Sequence, residues 1–70
     1  MKPLKPRELE RIILARGWVL RRSSGSHRQY SREGWPNITI PFHPEDLRQR
    51  TQESIMKQAG ITRDEIENRW

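Results

Sequence analysis

The chain has 70 residues, 31% of them hydrophobic, with 14 Lys and Arg against nine Asp and Glu, a formal charge of +5 and a sequence pI near 10.8. That length makes one domain with a thin core, enough for a layer of helices on a sheet and not for an enclosed metabolite cavity. Cysteine is absent, which excludes disulfides and thiolate metal sites, and no apolar run is long enough to cross a membrane.

A reducing cytosol is the expected compartment, because Lys2 and Lys5 are followed by no apolar segment of a secretory signal. Activity should sit in an open groove or on a flat face, which suits a polymer substrate. The basic charge is also unevenly spread. Arg21, Arg22, Arg28 and Arg32 crowd a stretch with no acid before Glu33, while Glu45, Asp46, Glu53, Asp64, Glu65 and Glu67 collect towards the C-terminus. Such asymmetry points to a polyanionic partner, nucleic acid above all.

In chain order, the first element is a helix of about three turns. Pro6 suits its first position, where the missing N–H would be unpaired anyway. Glu8 stands near the free amides, and Leu4 and Leu9 have the spacing of a hydrophobic staple. Leu9, Ile12 and Ile13 form the apolar stripe, and Gly17 can take the left-handed conformation that ends the helix. Trp18–Arg22 is rich in strand formers, and Ser23–Ser26 is a turn by composition. His27–Arg32 alternates loosely around Tyr30, Gly34–Asn37 turns again, and Ile38-Thr39-Ile40 is a short strand running to Pro41.

The last third is helical, with an apolar stripe of Ile55, Met56 and Ala59 stopping at Gly60. The residues admit one helix from Pro44, or a short turn before a helix that starts near Thr51. Thr62 with Glu65 makes a capping box, with Ile61 and Ile66 as its staple, and the short helix that follows should carry Trp70 on the side of Ile66. The expected fold is therefore α+β: an α-β-β-β-α order, a three-stranded antiparallel meander with helices on one face, in a single domain spanning 1–70. The open sheet face can then present basic and polar side chains to RNA, which is read by charge, shape and 2′-hydroxyl contacts.

His27 and His43 are the only histidines, and imidazole is the side chain that ordinarily titrates near neutral pH. His27 opens a strand after the Ser-Ser-Gly-Ser turn, with Arg28 beside it and Arg21 and Arg22 before the turn. RNA carries its own nucleophile, the 2′-hydroxyl, so cleavage needs only proton transfer and stabilisation of a charged phosphorane. One histidine can do the first and neighbouring guanidiniums the second, without metal. A lone surface histidine is, on spacing alone, more often a plain polar residue. His43, between Pro41 and Pro44, reads as structural. Trp18 reads as core, and Trp35, in an exposed turn, as a contact to RNA or a partner. Lys57 is a candidate phosphate contact, although a solvated lysine is the commoner outcome.

Gly25-Ser26-His27, then Ile38-Thr39-Ile40-Pro41-Phe42-His43, then Ser54-Ile55-Met56-Lys57-Gln58-Ala59-Gly60-Ile61, in this order and at these separations, resembles the HicA (YcfA-like) toxin family from about Arg7 to Ile66. The resemblance implies a double-stranded-RNA-binding-like fold, metal-independent mRNA cleavage and a HicB-type antitoxin covering the active face. It maps the catalytic histidine onto His27 and the turn glycine onto Gly25. Gly25, Ser26, Arg21, Arg22, Arg28 and Lys57 are the expected RNA contacts, and no metal, cofactor or membrane is expected to take part. Two departures stand out. Arg28 occupies a position where many members have a second histidine, and Gln49-Arg50-Thr51-Gln52 stands where members often have Lys-Gly-Thr-Leu. The rival readings are a non-catalytic RNA-binding module of the same fold and a basic protein-interaction domain.

Overall fold

The computed structural model describes residues 2–69. Its elements are α1 (Pro6–Leu14), β1 (Val19–Ser24), β2 (His27–Ser31), β3 (Ile38–Pro41), α2 (Gln49–Ala59) and α3 (Arg63–Arg69). The strands form one antiparallel sheet in the order β1-β2-β3, and the fold is the α+β class expected.

The start of α1 is fixed by local chemistry. Lys5 is extended, Pro6 opens the helix, and a Glu8 carboxylate oxygen accepts the Lys5 N–H at 2.9 Å. Leu4 and Leu9 are both fully buried, as a staple requires. Leu9, Ile12 and Ile13 pack down, and Gly17 at φ +93 turns the chain into β1. Below the sheet they join Trp18, Tyr30, Ile38, Ile40, Ile55, Met56, Ala59, Ile61 and Ile66 in one core. Each large apolar side chain buried there contributes on the order of 2 kcal/mol.

The hairpin is tighter than its composition suggests. Ser23 and Ser24 belong to β1, and only Gly25 and Ser26 loop, with Gly25 at φ +57. A two-residue hairpin loop needs such a positive φ, which glycine adopts without strain. Pro41 is the last residue of β3, an edge strand that tolerates its missing N–H. The Phe42 N–H then donates to the Ser26 carbonyl and ties the turn to the end of β3.

Of the two readings of the last third, the helix that begins late is the nearer. Residues 44–46 form no helix, and α2 starts at Gln49. The extended approach buries Leu47 and lets its N–H reach the Leu4 carbonyl at 2.8 Å. The α3 capping box forms as expected. Thr62 Oγ1 accepts the Glu65 N–H at 3.3 Å, and a Glu65 carboxylate oxygen accepts the Thr62 N–H at 3.1 Å. An Arg16–Glu65 ion pair links α3 to the end of α1. The expected side of Trp70 lies outside the described residues.

A candidate nucleic-acid interface

Register decides which side chains share the open face. Ser24 stands opposite His27 and Arg22 opposite Gln29, with Thr39 and Pro41 continuing the same rows on β3. Directly paired residues of an antiparallel sheet project to the same side. Tyr30 on β2 is buried on the helix side, so His27 and Gln29, at odd offsets from it, project to the open side. Arg22, Ser24, His27 and Gln29 line one shallow recess of about 260 Å³.

A β-bulge at Arg21 completes this face. Pairing shifts between Leu20 and Arg22, so Leu20, not Arg21, stands opposite buried Tyr30. Without the extra residue the guanidinium of Arg21 would be directed at the apolar layer. With it, Arg21 Nε donates to Ser31 Oγ at 2.7 Å, and two consecutive arginines share the open side.

The arginines expected around His27 therefore separate. Arg22 lines the recess, and Arg21 lies along the same face, held by Ser31. Arg28 projects to the helix side. There it donates to a Glu10 carboxylate oxygen at 2.9 Å and its guanidinium lies 4.1 Å from the Phe42 ring centroid. Its pKa is raised, chiefly by the Glu10 hydrogen bond; burial opposes the rise, and the Glu10 charge adds to it. Arg32 lies over the Trp35 ring at 5.1 Å. Lys57 is exposed on α2 and lines neither this recess nor the larger one on the other side.

That larger recess, of about 620 Å³, lies between the first turns of α1 and the segment Phe42-His43-Pro44, with Lys5, Arg7 and Arg28 at its rim. His43 is exposed and lines this recess, not the one that holds His27. Trp18 is core, as expected. Trp35 is 39% exposed but largely committed: it meets Trp18 edge-on at 5.8 Å and covers Gly60.

Ser24 and Gln29 are the lining residues that reading the chain did not single out. The signal was present, since a two-residue loop at Gly25-Ser26 forces the pairs Ser24–His27 and Arg22–Gln29. Taking all of Ser23–Ser26 as the turn concealed it.

The fold and recess define a small α+β domain with a basic, open sheet face carrying one imidazole between polar neighbours. The chain matches the model of the family described as the HicA toxin of bacterial toxin-antitoxin over residues 6–61. It belongs to the HicA toxin family. Among solved structures it is similar to a chain of a toxin-antitoxin complex from Streptococcus pneumoniae, at 33% identity and a TM-score of 0.74, covering 84% of this chain and 100% of that one. No curated protein matches it.

No described helix is long and apolar enough to cross a membrane, and no described cluster of three or more His, Asp or Glu side chains is placed to hold a metal ion.

Proposed function

We propose that this chain is the toxin of a type II toxin-antitoxin pair, a metal-independent endoribonuclease that cleaves mRNA in the cytoplasm with His27 as its catalytic histidine. The observation that carries the reading is the grouping of His27 with Arg22, Ser24 and Gln29 in one open recess that has no carboxylate among its lining residues. Such a donor set suits an anionic phosphodiester and offers no carboxylate to a divalent cation.

In this mechanism His27 takes the proton of a 2′-hydroxyl while that oxygen attacks the adjacent phosphorus. The P–O5′ bond breaks, and the imidazolium returns the proton to the leaving 5′-oxygen. The products are a 2′,3′-cyclic phosphate and a 5′-hydroxyl. Arg22 neutralises the charge that accumulates on the phosphorane. Gly25 lets the backbone approach the strand, and Ser26 and Arg21 extend the contact along the same edge. Arg28, tied to Glu10 on the helix side, and Lys57, on α2, line no part of this recess, so a phosphate contact by either would lie away from the cleaved bond. A HicB-type antitoxin neutralises the toxin by covering the open face, a reading supported by family membership and by the toxin-antitoxin complex among its structural relatives.

His27→Ala tests the proposal. Cleavage of single-stranded RNA should be lost while binding at low salt is largely kept, because one imidazole is a small part of an electrostatic footprint. EDTA should leave cleavage by the unaltered protein intact. Persistent cleavage by the variant, or products ending in a 3′-hydroxyl, would overturn it. Binding without any cleavage by the unaltered protein would favour the non-catalytic RNA-binding reading.

A further inference from the structure

The mechanism above gives roles to two of the four side chains that line the recess, His27 and Arg22. Gln29 is set to act with them. It follows His27 by two residues on the same face, about 7 Å along the strand. It stands directly opposite Arg22, at a Cβ separation of about 5 Å for such a pair. β2 is the central strand, hydrogen-bonded on both sides, so Gln29 springs from the best-anchored backbone of the face. Thr39 flanks it on β3. Glu10 is occupied by Arg28 and Tyr30 on the other side of the sheet.

We propose that Gln29 is a further catalytic residue, its side-chain amide donating to a non-bridging oxygen of the phosphate held by Arg22 while His27 acts on the neighbouring 2′-hydroxyl. The inference rests on the ribonuclease reading. A glutamine amide offers two N–H donors and does not titrate, so it serves at any pH at which His27 acts. Attack by the 2′-oxygen adds negative charge to the non-bridging oxygens. A donor aimed at them therefore strengthens between ground state and transition state, which raises kcat more than it lowers KM. Ser24 is less suited to this role, because its short hydroxyl stands opposite His27 and is directed to the imidazole end of the recess.

The test is steady-state cleavage of a mixed-sequence single-stranded RNA by Gln29→Ala, Gln29→Asn and Gln29→Glu, alongside His27→Ala. Gln29 is exposed, so melting temperatures should match the unaltered protein. Gln29→Ala should lower kcat roughly 100-fold, the lower end of the range for removing one oxyanion donor, with KM changed less than about threefold. Gln29→Asn should recover part of the loss, and Gln29→Glu should fall below Gln29→Ala, because a carboxylate repels the phosphate. An RNA carrying a stereopure phosphorothioate at its mapped cleavage position gives a second readout. One stereoisomer should slow the unaltered protein, and Gln29→Ala should lose that selectivity. Unchanged kcat in Gln29→Ala, or a loss confined to KM, overturns the role of Gln29 while leaving the His27 reading standing. Undiminished cleavage by His27→Ala overturns the mechanism itself.

Discussion

Arg28 follows His27 in the chain, yet its guanidinium lies on the other side of the sheet, 2.9 Å from the carboxylate of Glu10. The same Glu10 oxygen accepts the Tyr30 hydroxyl at 2.6 Å, so one carboxylate on α1 fastens two alternate residues of β2. The residue directly after His27 is thus a strut between helix and strand. Arg22, on the face of His27, is the cation placed to meet the reacting phosphate. Arg22→Ala should therefore slow single-turnover cleavage by roughly 10- to 100-fold with little change in melting temperature. Arg28→Ala should lower the melting temperature, and its loss of cleavage rate should be the smaller. Rate and melting measurements on both variants check this, and the reverse ordering of rates would show that Arg28 turns to the open face when RNA binds.

Tyr30 is the chain's only tyrosine, which makes its ionisation directly observable. Burial raises its pKa well above the usual phenolic value, and the hydrogen bond to anionic Glu10 raises it further. An unfolded tyrosine ionises near pH 10. Above that pH the unfolded chain releases a proton that the folded chain retains. This contribution to stability is thus fully present below about pH 10 and is lost as pH rises beyond it. Tyrosinate absorbance and far-UV circular dichroism should change together in one alkaline transition. Ionisation near pH 10 with the helical signal intact would contradict the buried Tyr30–Glu10 pair.

Gln52 is the buried polar residue among the described residues. Its carboxamide oxygen accepts the Leu4 N–H at 2.8 Å, and its nitrogen donates to the Lys2 carbonyl at 2.7 Å. The side chain thereby holds the segment before α1 against α2, with Leu4 beneath it. Gln52→Leu keeps the volume and removes both bonds, leaving a buried amide without this acceptor. It should cost about 1–3 kcal/mol in urea unfolding. An unchanged midpoint would mean that the two Gln52 bonds add nothing net to stability.

Much of this architecture was legible in the chain because its punctuation is strong. Pro6 with Glu8, the Leu4–Leu9 staple, Gly60 and the Thr62–Glu65 box each mark a helix end by local chemistry that tertiary packing did not override. The late start of α2 has no such local mark. Pro44-Glu45-Asp46 has the composition of a first turn, but burial of Leu47 and its bond to Leu4 hold that stretch extended. The candidate site was harder to read. Four arginines near His27 look equivalent in one dimension, and only strand alternation, the bulge at Arg21 and the carboxylate of Glu10 separate them. Glu10 lies 18 residues from Arg28, a contact that no local pattern announces.

Gly60 and Trp35 form a contact that binds the β2–β3 turn to the end of α2. Gly60 has φ +73, and a Cβ built on it would lie 2.9 Å from the Trp35 ring, whose other neighbours are Trp18 and Arg32. Gly60→Ala therefore carries two costs: a left-handed backbone for a residue with a side chain, about 1–2 kcal/mol, and displacement of the indole. Trp35→Ala removes only the second. A double-mutant cycle separates them, because the alanine at 60 should be less damaging once the ring is gone, with a coupling of about 0.5–3 kcal/mol. Strict additivity would show that the indole moves aside freely. In that case Trp35 would be available to an RNA base or to the antitoxin and would not be a fixed part of the scaffold behind the sheet.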